Sequence, residues 1–371
     1  MRVLIVLLMV VSLSCTNSHE KKTIEIEEIE LNIENTGLSS YRPFFFSNDL
    51  NKMYLFDDFN NVFFEFNHEK SSLTEVLSLV AEDRFNVSEM HAFLYCNSSL
   101  YIFSPNQIIL YNVKNEDVQK DKIDELIDHN TGDYVDFGYK IQFNLNFGKN
   151  IAAFDSSNSK VYFLMKNNSE LRVAEYSLLE RNKIRFLDVI DNKLIDKYRL
   201  SSNYNSNISI QNVVNPILSI ENNKLIISYP FMNSFEVYDF IKEEKKLYSI
   251  SSQMHSNFKI KQILKSDEIS ELMARTKDWN NDITFGPIFW DKHNEIYYRL
   301  IKGESTKLNP FDGGIFLSIF NQDFELIEEK QLNNNNPDLT YEYFKMDSSL
   351  YVRQLSNKEN DLKYLKINFT N

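Results

Sequence analysis

Short apolar runs separated by polar turns recur along the whole chain, and six stretches share one plan. A short apolar strand is followed by a turn of Asn, Asp, Ser and Lys. A second strand follows, usually beginning with an aliphatic residue and Tyr, then another polar turn and a third strand often ending in Asn or Asp. The second strands align on Tyr54, Tyr101, Tyr162, Ile226, Tyr297 and Tyr351, with uneven spacing that inserts between units account for. Runs such as Val161 to Met165 are apolar without alternation, the pattern of a strand covered on both faces. Radial repetition covers strands this way and leaves few open edges. A two-sheet all-β sandwich, the competing arrangement, shows more polar alternation. The repeat therefore predicts an all-β fold, a six-bladed β-propeller with short helical insertions between blades.

Outside the six units, Thr23 to Ile33 alternates Ile with Glu and reads as one further strand, placed to complete the last blade and close the ring. Three stretches read as helical insertions: Leu73 to Val80, Lys114 to Asp128, and Ser266 to Trp279. The last opens on Ser-Asp-Glu and carries Ile269, Leu272 and Met273 on one face.

The N-terminus has a different pattern. Arg2 precedes an uncharged run from Val3 to Leu13, which ends in Ser14-Cys15. A positive start, a short apolar core and small residues at the exit predict a secretory signal, too short to span a bilayer. Ser12-Leu13-Ser14-Cys15 is similar to a lipobox, with Leu one step nearer the Cys than usual. We therefore expect a signal peptide over 1–14, acylation of Cys15, a tether over 15–22 and a single propeller domain over 23–371. The other cysteine, Cys96, sits among Leu94, Tyr95 and Leu100 and reads as a buried thiol. With Cys15 acylated, no internal disulfide can form, so the fold depends on its own core.

Composition narrows the function classes. Forty Lys and Arg stand against 53 Asp and Glu, a formal −13, or −14 once Arg2 leaves with the signal. Such a surface does not suit nucleic acid. The chain has 29 Phe and 20 Tyr, which favour strands. Only eight Gly are present and no phosphate-cradling loop or nucleophile elbow occurs. The six His are scattered, without zinc-hydrolase spacing. Asp128 to Asp133 alternates oxygen donors, but its order departs from a calcium loop. We expect no cofactor, no metal and no local catalytic motif. Carboxylates converging from different blades for glycan hydrolysis would leave no such motif, so an envelope enzyme stays an alternative.

One position does differ between repeats. Two residues after the recurrent Tyr the units carry Phe56, Phe103, Leu164, Ser228, Arg299 and Arg353. Two arginines at equivalent places either pair with acidic groups to bridge blades or face an anionic or sugar ligand, with Tyr229 and Tyr298 as stacking partners. We take Arg299, Arg353, Tyr229 and Tyr298 as the candidate ligand-binding set.

Leu225-Ile226-Ile227-Ser228-Tyr229-Pro230-Phe231, followed by Phe235 to Asp239, resembles Bacteroidetes lipoproteins of the domain of unknown function 4221. So does Gly286-Pro287-Ile288-Phe289-Trp290-Asp291 leading into Ile296 to Arg299. The resemblance implies a TolB-like six-bladed propeller in the cell envelope, and with Cys15 acylated we expect it on the outer membrane, on either its periplasmic or its surface face. It carries no activity and no catalytic residues. The expected function is non-enzymatic binding of an envelope protein, peptide or glycan; a structural subunit of an envelope complex is the other alternative.

Overall fold

The computed structural model describes residues 23–32, 45–49, 52–57, 60, 62–67, 72–78, 92–96, 99–104, 107–127, 133–135, 152–167, 170–198, 214–260, 268–305, 312–332, 338–346, 348–356 and 361–370. Thr23–Asn32 forms β1. The first sheet holds β2 (Phe45–Asp49), β3 (Lys52–Asp57), β4 (Val62–Asn67) and β5 (Ser72–Ser78). The second holds β6 (Ala92–Cys96), β7 (Ser99–Phe103), β8 (Gln107–Asn112) and β9 (Val118–Lys122), followed by the single-turn α1 (Ile123–Leu126). In the third, β10 (Asp133–Val135) and β11 (Ala152–Asp155) share one edge of β12 (Lys160–Asn167), and β13 (Glu170–Ser177) and β14 (Ile184–Leu187) lie beyond. Helix α2 (Asn192–Tyr198) leads to the fourth sheet, β15 (Ile217–Glu221), β16 (Lys224–Ser228), β17 (Phe235–Asp239) and β18 (Glu244–Tyr248). Helix α3 (Ile269–Asn281) leads to the fifth, β19 (Thr284–Asp291), β20 (Ile296–Lys302), β21 (Ile315–Phe320) and β22 (Leu326–Gln331). The sixth has β23 (Leu339–Met346), β24 (Ser349–Gln354) and β25 (Asp361–Thr370), with β1 paired outside β25.

Each sheet is antiparallel and follows a meander apart from β10 and β1, and successive sheets pack face to face, which makes the fold an all-β propeller. The unalternated apolar strands now have a cause. On β12, Val161, Phe163 and Met165 pack with Phe103 and Ile108 of the second sheet, while Tyr162 and Leu164 pack with Leu225 and Ile227 of the fourth. On β20, Tyr297 faces Ile226 and Phe235, and Tyr298 and Leu300 face Tyr341 and Val352. Phe63 joins the first sheet to Leu100 and Ile102, and Phe64 and Phe66 join it to Tyr351 and Tyr364. The second strands β7, β12, β16, β20 and β24 thus each feed two cores, so they cannot place polar residues on alternate positions.

The expected closing strand is present. β1 runs antiparallel to β25 from Thr23 opposite Thr370 to Asn32 opposite Asp361, and Ile29 is buried against Phe64, Phe66 and Tyr364.

The frequent Asn or Asp at the end of the third strand is a turn device. Asn112, Asp239 and Asn321 each accept backbone N–H groups two to four residues ahead through Oδ1, and Ser177 Oγ accepts from Glu180 N. Glu116, Arg181, Glu243 and Phe324 follow in the left-handed conformation, with φ of 59°, 50°, 53° and 63°.

Two helical expectations fail. Leu73 to Val80 was expected to be helical, but Ser72–Ser78 is the outer strand β5. Lys114 to Asp128 was expected likewise, but it forms a turn, then β9, and is helical only over Ile123–Leu126. The third expectation holds as α3, which begins at Ile269 without a side-chain cap. The repeat is also longer than three strands, because β5, β9, β14, β18 and β22 add polar outer strands.

Candidate functional site: the looped end of the ring

The meander gives the ring two unlike ends. At one, the turn end, lie the hairpins joining first to second and third to fourth strands. At the other, the looped end, lie the longer connections, including α2, α3 and the segment 249–260. Buried cations fix the connections of the fourth and fifth sheets.

Arg299 is the first of them. The β19–β20 register carries a bulge between Phe285 and Ile288, which opens a carbonyl at Gly286. Arg299 lies opposite Ile288, fully buried, and donates from Nε to Gly286 O at 2.7 Å. Its Nη1 donates to Asn233 O at 2.8 Å and Asn233 Oδ1 at 3.3 Å, and Nη2 reaches Tyr229 O at 3.4 Å. The guanidinium lies 5.1 Å from the Phe285 ring centre. Burial lowers its pKa to about 10, so it stays charged at neutral pH. Arg299 therefore staples the β16–β17 loop to the bulge of the next sheet.

Arg353 repeats the theme in the sixth sheet. The β23–β24 register shifts between Leu339 and Tyr343, and Arg353 Nη1 donates to Glu342 Oε2 inside that bulge at 2.5 Å. Thr340 Oγ1 donates to the Arg353 carbonyl at 3.2 Å. The equivalent first–second strand pairs of the first, second and fourth sheets, with Phe56, Phe103 and Ser228 in place of Arg, keep an unshifted register. The two arginines thus mark the two bulged inner strands. Gly286-Pro287 was the sequence signal, since Pro inside a strand points to a bulge.

Lys259 and Lys302 hold α3. Lys259 Nζ donates to Trp279 O at 2.8 Å and Thr284 Oγ1 at 2.9 Å, and Lys302 Nζ to Asn280 O at 2.7 Å. Ser305 adds two bonds to Asn281 O. The last turn of α3 has no basic residue of its own, so these lysines supply the positive charge that its C-terminal carbonyls favour.

The segment 249–260 lies over this base. Met232 and Phe258 form a β-bridge, Lys259 N donates to Phe231 O, and Ile260 N donates to Asp282 Oδ2 at 2.9 Å. Glu329 anchors its start: Oε2 accepts from Ser252 Oγ at 2.8 Å, Oε1 accepts from Ser318 Oγ at 3.2 Å, and His255 Nε2 lies 3.3 Å from Oε1. Met254, Phe258 and Ile260 of this segment are left exposed, as are Met273 of α3 and Leu355 in the connection after β24.

The placement of the expected ligand set is uneven. Arg299, Tyr229 and Tyr298 are fully buried and present no face to solvent. Tyr229 donates its hydroxyl to Glu236 Oε2 at 2.7 Å, and burial together with that carboxylate raises its pKa. Tyr298 packs against Phe289 and Phe369. Arg353 lies nearer the surface, beside the partly exposed Glu342. Cys15 and most of the Asp128 to Asp133 stretch lie outside the described residues; Asp133 begins β10.

At the turn end, Lys345 Nζ of β23 meets Glu221 Oε2 of β15 at 3.3 Å. Their sheets are not neighbours, since the fifth stands between them, so the pair crosses the middle of the ring. Burial raises the Glu221 pKa, although Lys345 pulls it down. A cleft of about 490 Å³ lies at the side, between Lys246 and Tyr248 of the fourth sheet and Asp323 and Glu325 of the fifth.

Among the described residues no helix is long and apolar enough to cross a membrane. No curated protein matches the chain. A solved member of the DUF4221 family from Bacteroides vulgatus is similar in fold, with a TM-score of 0.65 at 13% identity over 95% of this chain and 98% of that one. An exported protein from Bacteroides fragilis aligns over 94% of this chain and 96% of its own, with a TM-score of 0.49 at 8% identity. A streptogramin B lyase aligns over 94% and 98%, with a TM-score of 0.43 at 9% identity. Residues 12–331 match the family described as domain of unknown function DUF4221, and the chain belongs to that family.

Proposed function

We propose that this protein is a lipid-anchored envelope propeller of six blades that binds a partner protein, peptide or glycan at its looped end. Six sheets in the described residues support the blade count. The signal-like start and Cys15 support the anchor, and we place it in the outer membrane. One observation carries the binding reading. Exposed Phe258, Ile260 and Met254 stand on a segment whose base is tied down by Lys259 and Glu329. A surface ordered before the partner arrives loses less entropy on binding. Apolar side chains grouped on one face mark interaction surfaces. Arg353 and Glu342 sit at the edge of the same end and add polar contacts, while Arg299, Tyr229 and Tyr298 support the surface from beneath.

The test is binding of the full chain, in detergent, to peptide and glycan arrays. Phe258→Ser and Ile260→Ser should abolish the strongest signals and leave the melting temperature unchanged. Signals that survive both substitutions would remove the looped end as the binding face. Acylation is tested separately: Cys15→Ala should abolish incorporation of a fatty-acid probe, and a wild type without label would end the anchor reading.

A further inference from the structure

We propose that the turn end of the ring rests on the phospholipid bilayer, with Leu179 and Ile241 entering its interface; this rests on the lipid-anchor reading. Two independent features point to that end. The first is where the chain enters the fold. Thr23 pairs with Thr370, and the β24–β25 ladder places Asn368 opposite Ser349 at the β23–β24 hairpin. The first described residue therefore stands at the turn end. Cys15 is eight residues earlier, a reach of at most about 28 Å when fully extended. An acylated Cys15 would hold this end, not the looped one, close to the membrane.

The second feature is the turn tips. Leu179 and Ile241 are 77% and 81% exposed, the two most exposed large apolar side chains among the described residues. They occupy equivalent places, each two residues after the capping residue of its turn, Ser177 or Asp239. Both turns are held by hydrogen bonds. Arg181 clamps the first by donating to both oxygens of Asp121 at 2.9 and 2.7 Å, and Asp239 Oδ1 holds Ile241 N and Lys242 N in the second. Nothing local gains from placing an apolar residue there, since the equivalent positions carry Lys114 and Asp323 in the second and fifth sheets. The tips belong to the third and fourth sheets, three and two steps round the ring from the sheet that receives the tether. A tether at one edge and apolar tips towards the other would keep the face flat on a bilayer. The chain is acidic overall, so insertion of apolar tips, not charge attraction, is the contact that fits.

The experiment uses the acylated full chain in vesicles of phosphatidylethanolamine and phosphatidylglycerol, with and without brominated lipid. The native tryptophans, Trp279 and Trp290, are buried, so Leu179→Trp, Ile241→Trp and, at the looped end, Leu355→Trp each add one exposed reporter. Added fluorescence from the first two should be quenched at least twofold by brominated lipid, and that from Leu355→Trp should not. Equal or greater quenching at Leu355→Trp, or none at the tips of an anchored chain, would overturn the docking face alone. A chain that carries no acyl group by mass spectrometry and leaves the vesicles would overturn the anchor reading and this proposal with it.

Discussion

At the scale of single residues, the structure turns two arginines that look like ligand groups into supports of bulged strands. Arg299 has backbone carbonyls and one amide oxygen as acceptors, so its removal strands polar groups in a buried space. Arg299→Ala is expected to cost about 3–5 kcal/mol, combining unpaired carbonyls with a cavity. Arg299→Lys should recover little, because one ammonium cannot reproduce a planar fork. Thermal melts of both variants check this; an unchanged midpoint for Arg299→Ala would contradict the staple. Gly286 offers a second test. A Cβ there would lie 1.7 Å from Tyr343 Oη and 2.8 Å from Leu300 O, so the strand passes too close for any side chain. Gly286→Ala should destabilise by at least about 1–3 kcal/mol. Adding Tyr343→Phe should restore part of the loss by removing the nearest atom. If the double variant melts no higher than Gly286→Ala alone, the Tyr343 hydroxyl is not the obstacle.

At the scale of elements, the segment 249–260 is tied to β22 through one carboxylate. Burial alone would raise the Glu329 pKa, but His255 and Ser252 outweigh it and hold the group below its ordinary value of 4.5. A carboxyl depressed by folding adds stability above its unfolded value and loses it as pH falls through the folded one. Hydrogen exchange in residues 249–260 should therefore accelerate as pH drops below about 4.5, after correction for the intrinsic exchange rate. Glu329→Gln should exchange faster at neutral pH and lack that acid step. Persistence of the step in Glu329→Gln would assign it to another group. Legibility from sequence also divides by element. The second strands from β7 onward were readable because two cores fill them with Tyr, Phe, Leu and Ile. Outer strands were not, because they face one neighbour and solvent; Glu244–Tyr248 is almost wholly exposed. β5 misled for a geometric reason. Its register against β4 shifts between Phe63 and Phe64, which leaves Val76 as the extra residue. Val76 and Leu77 then both pack toward the second sheet, and with Leu73 and Val80 they mimic helical spacing. The candidate ligand residues were legible as an oddity of the repeat, but their depth was not, because burial at a bulge depends on the neighbouring strand.

At the scale of the whole molecule, the ring is joined by a strand from the opposite end of the chain. β1 pairs along its full length with β25, buries Ile29 in the core shared by the first and sixth sheets, and adds surface ion pairs, Glu30 with Lys363 and Glu27 with Lys366. Those exposed pairs contribute little. The ladder and the buried Ile matter more, because without β1 the ten-residue strand β25 becomes an open edge. An unpaired edge of that length is a template for other chains. It also uncovers one side of the packing of Phe64, Phe66 and Tyr364. Deletion of residues 23–32 should therefore lower the melting temperature strongly and shift the protein to larger species than the full chain on size exclusion. A milder variant separates the two effects. Ile29→Asp keeps the backbone ladder and removes only the apolar contact, so it should melt lower without assembling. If the deletion melts like the full chain, β1 is an accessory strand and the ring is closed by side-chain packing between the first and sixth sheets alone. If Ile29→Asp assembles as readily as the deletion, the edge is guarded by the buried side chain and not by the ladder.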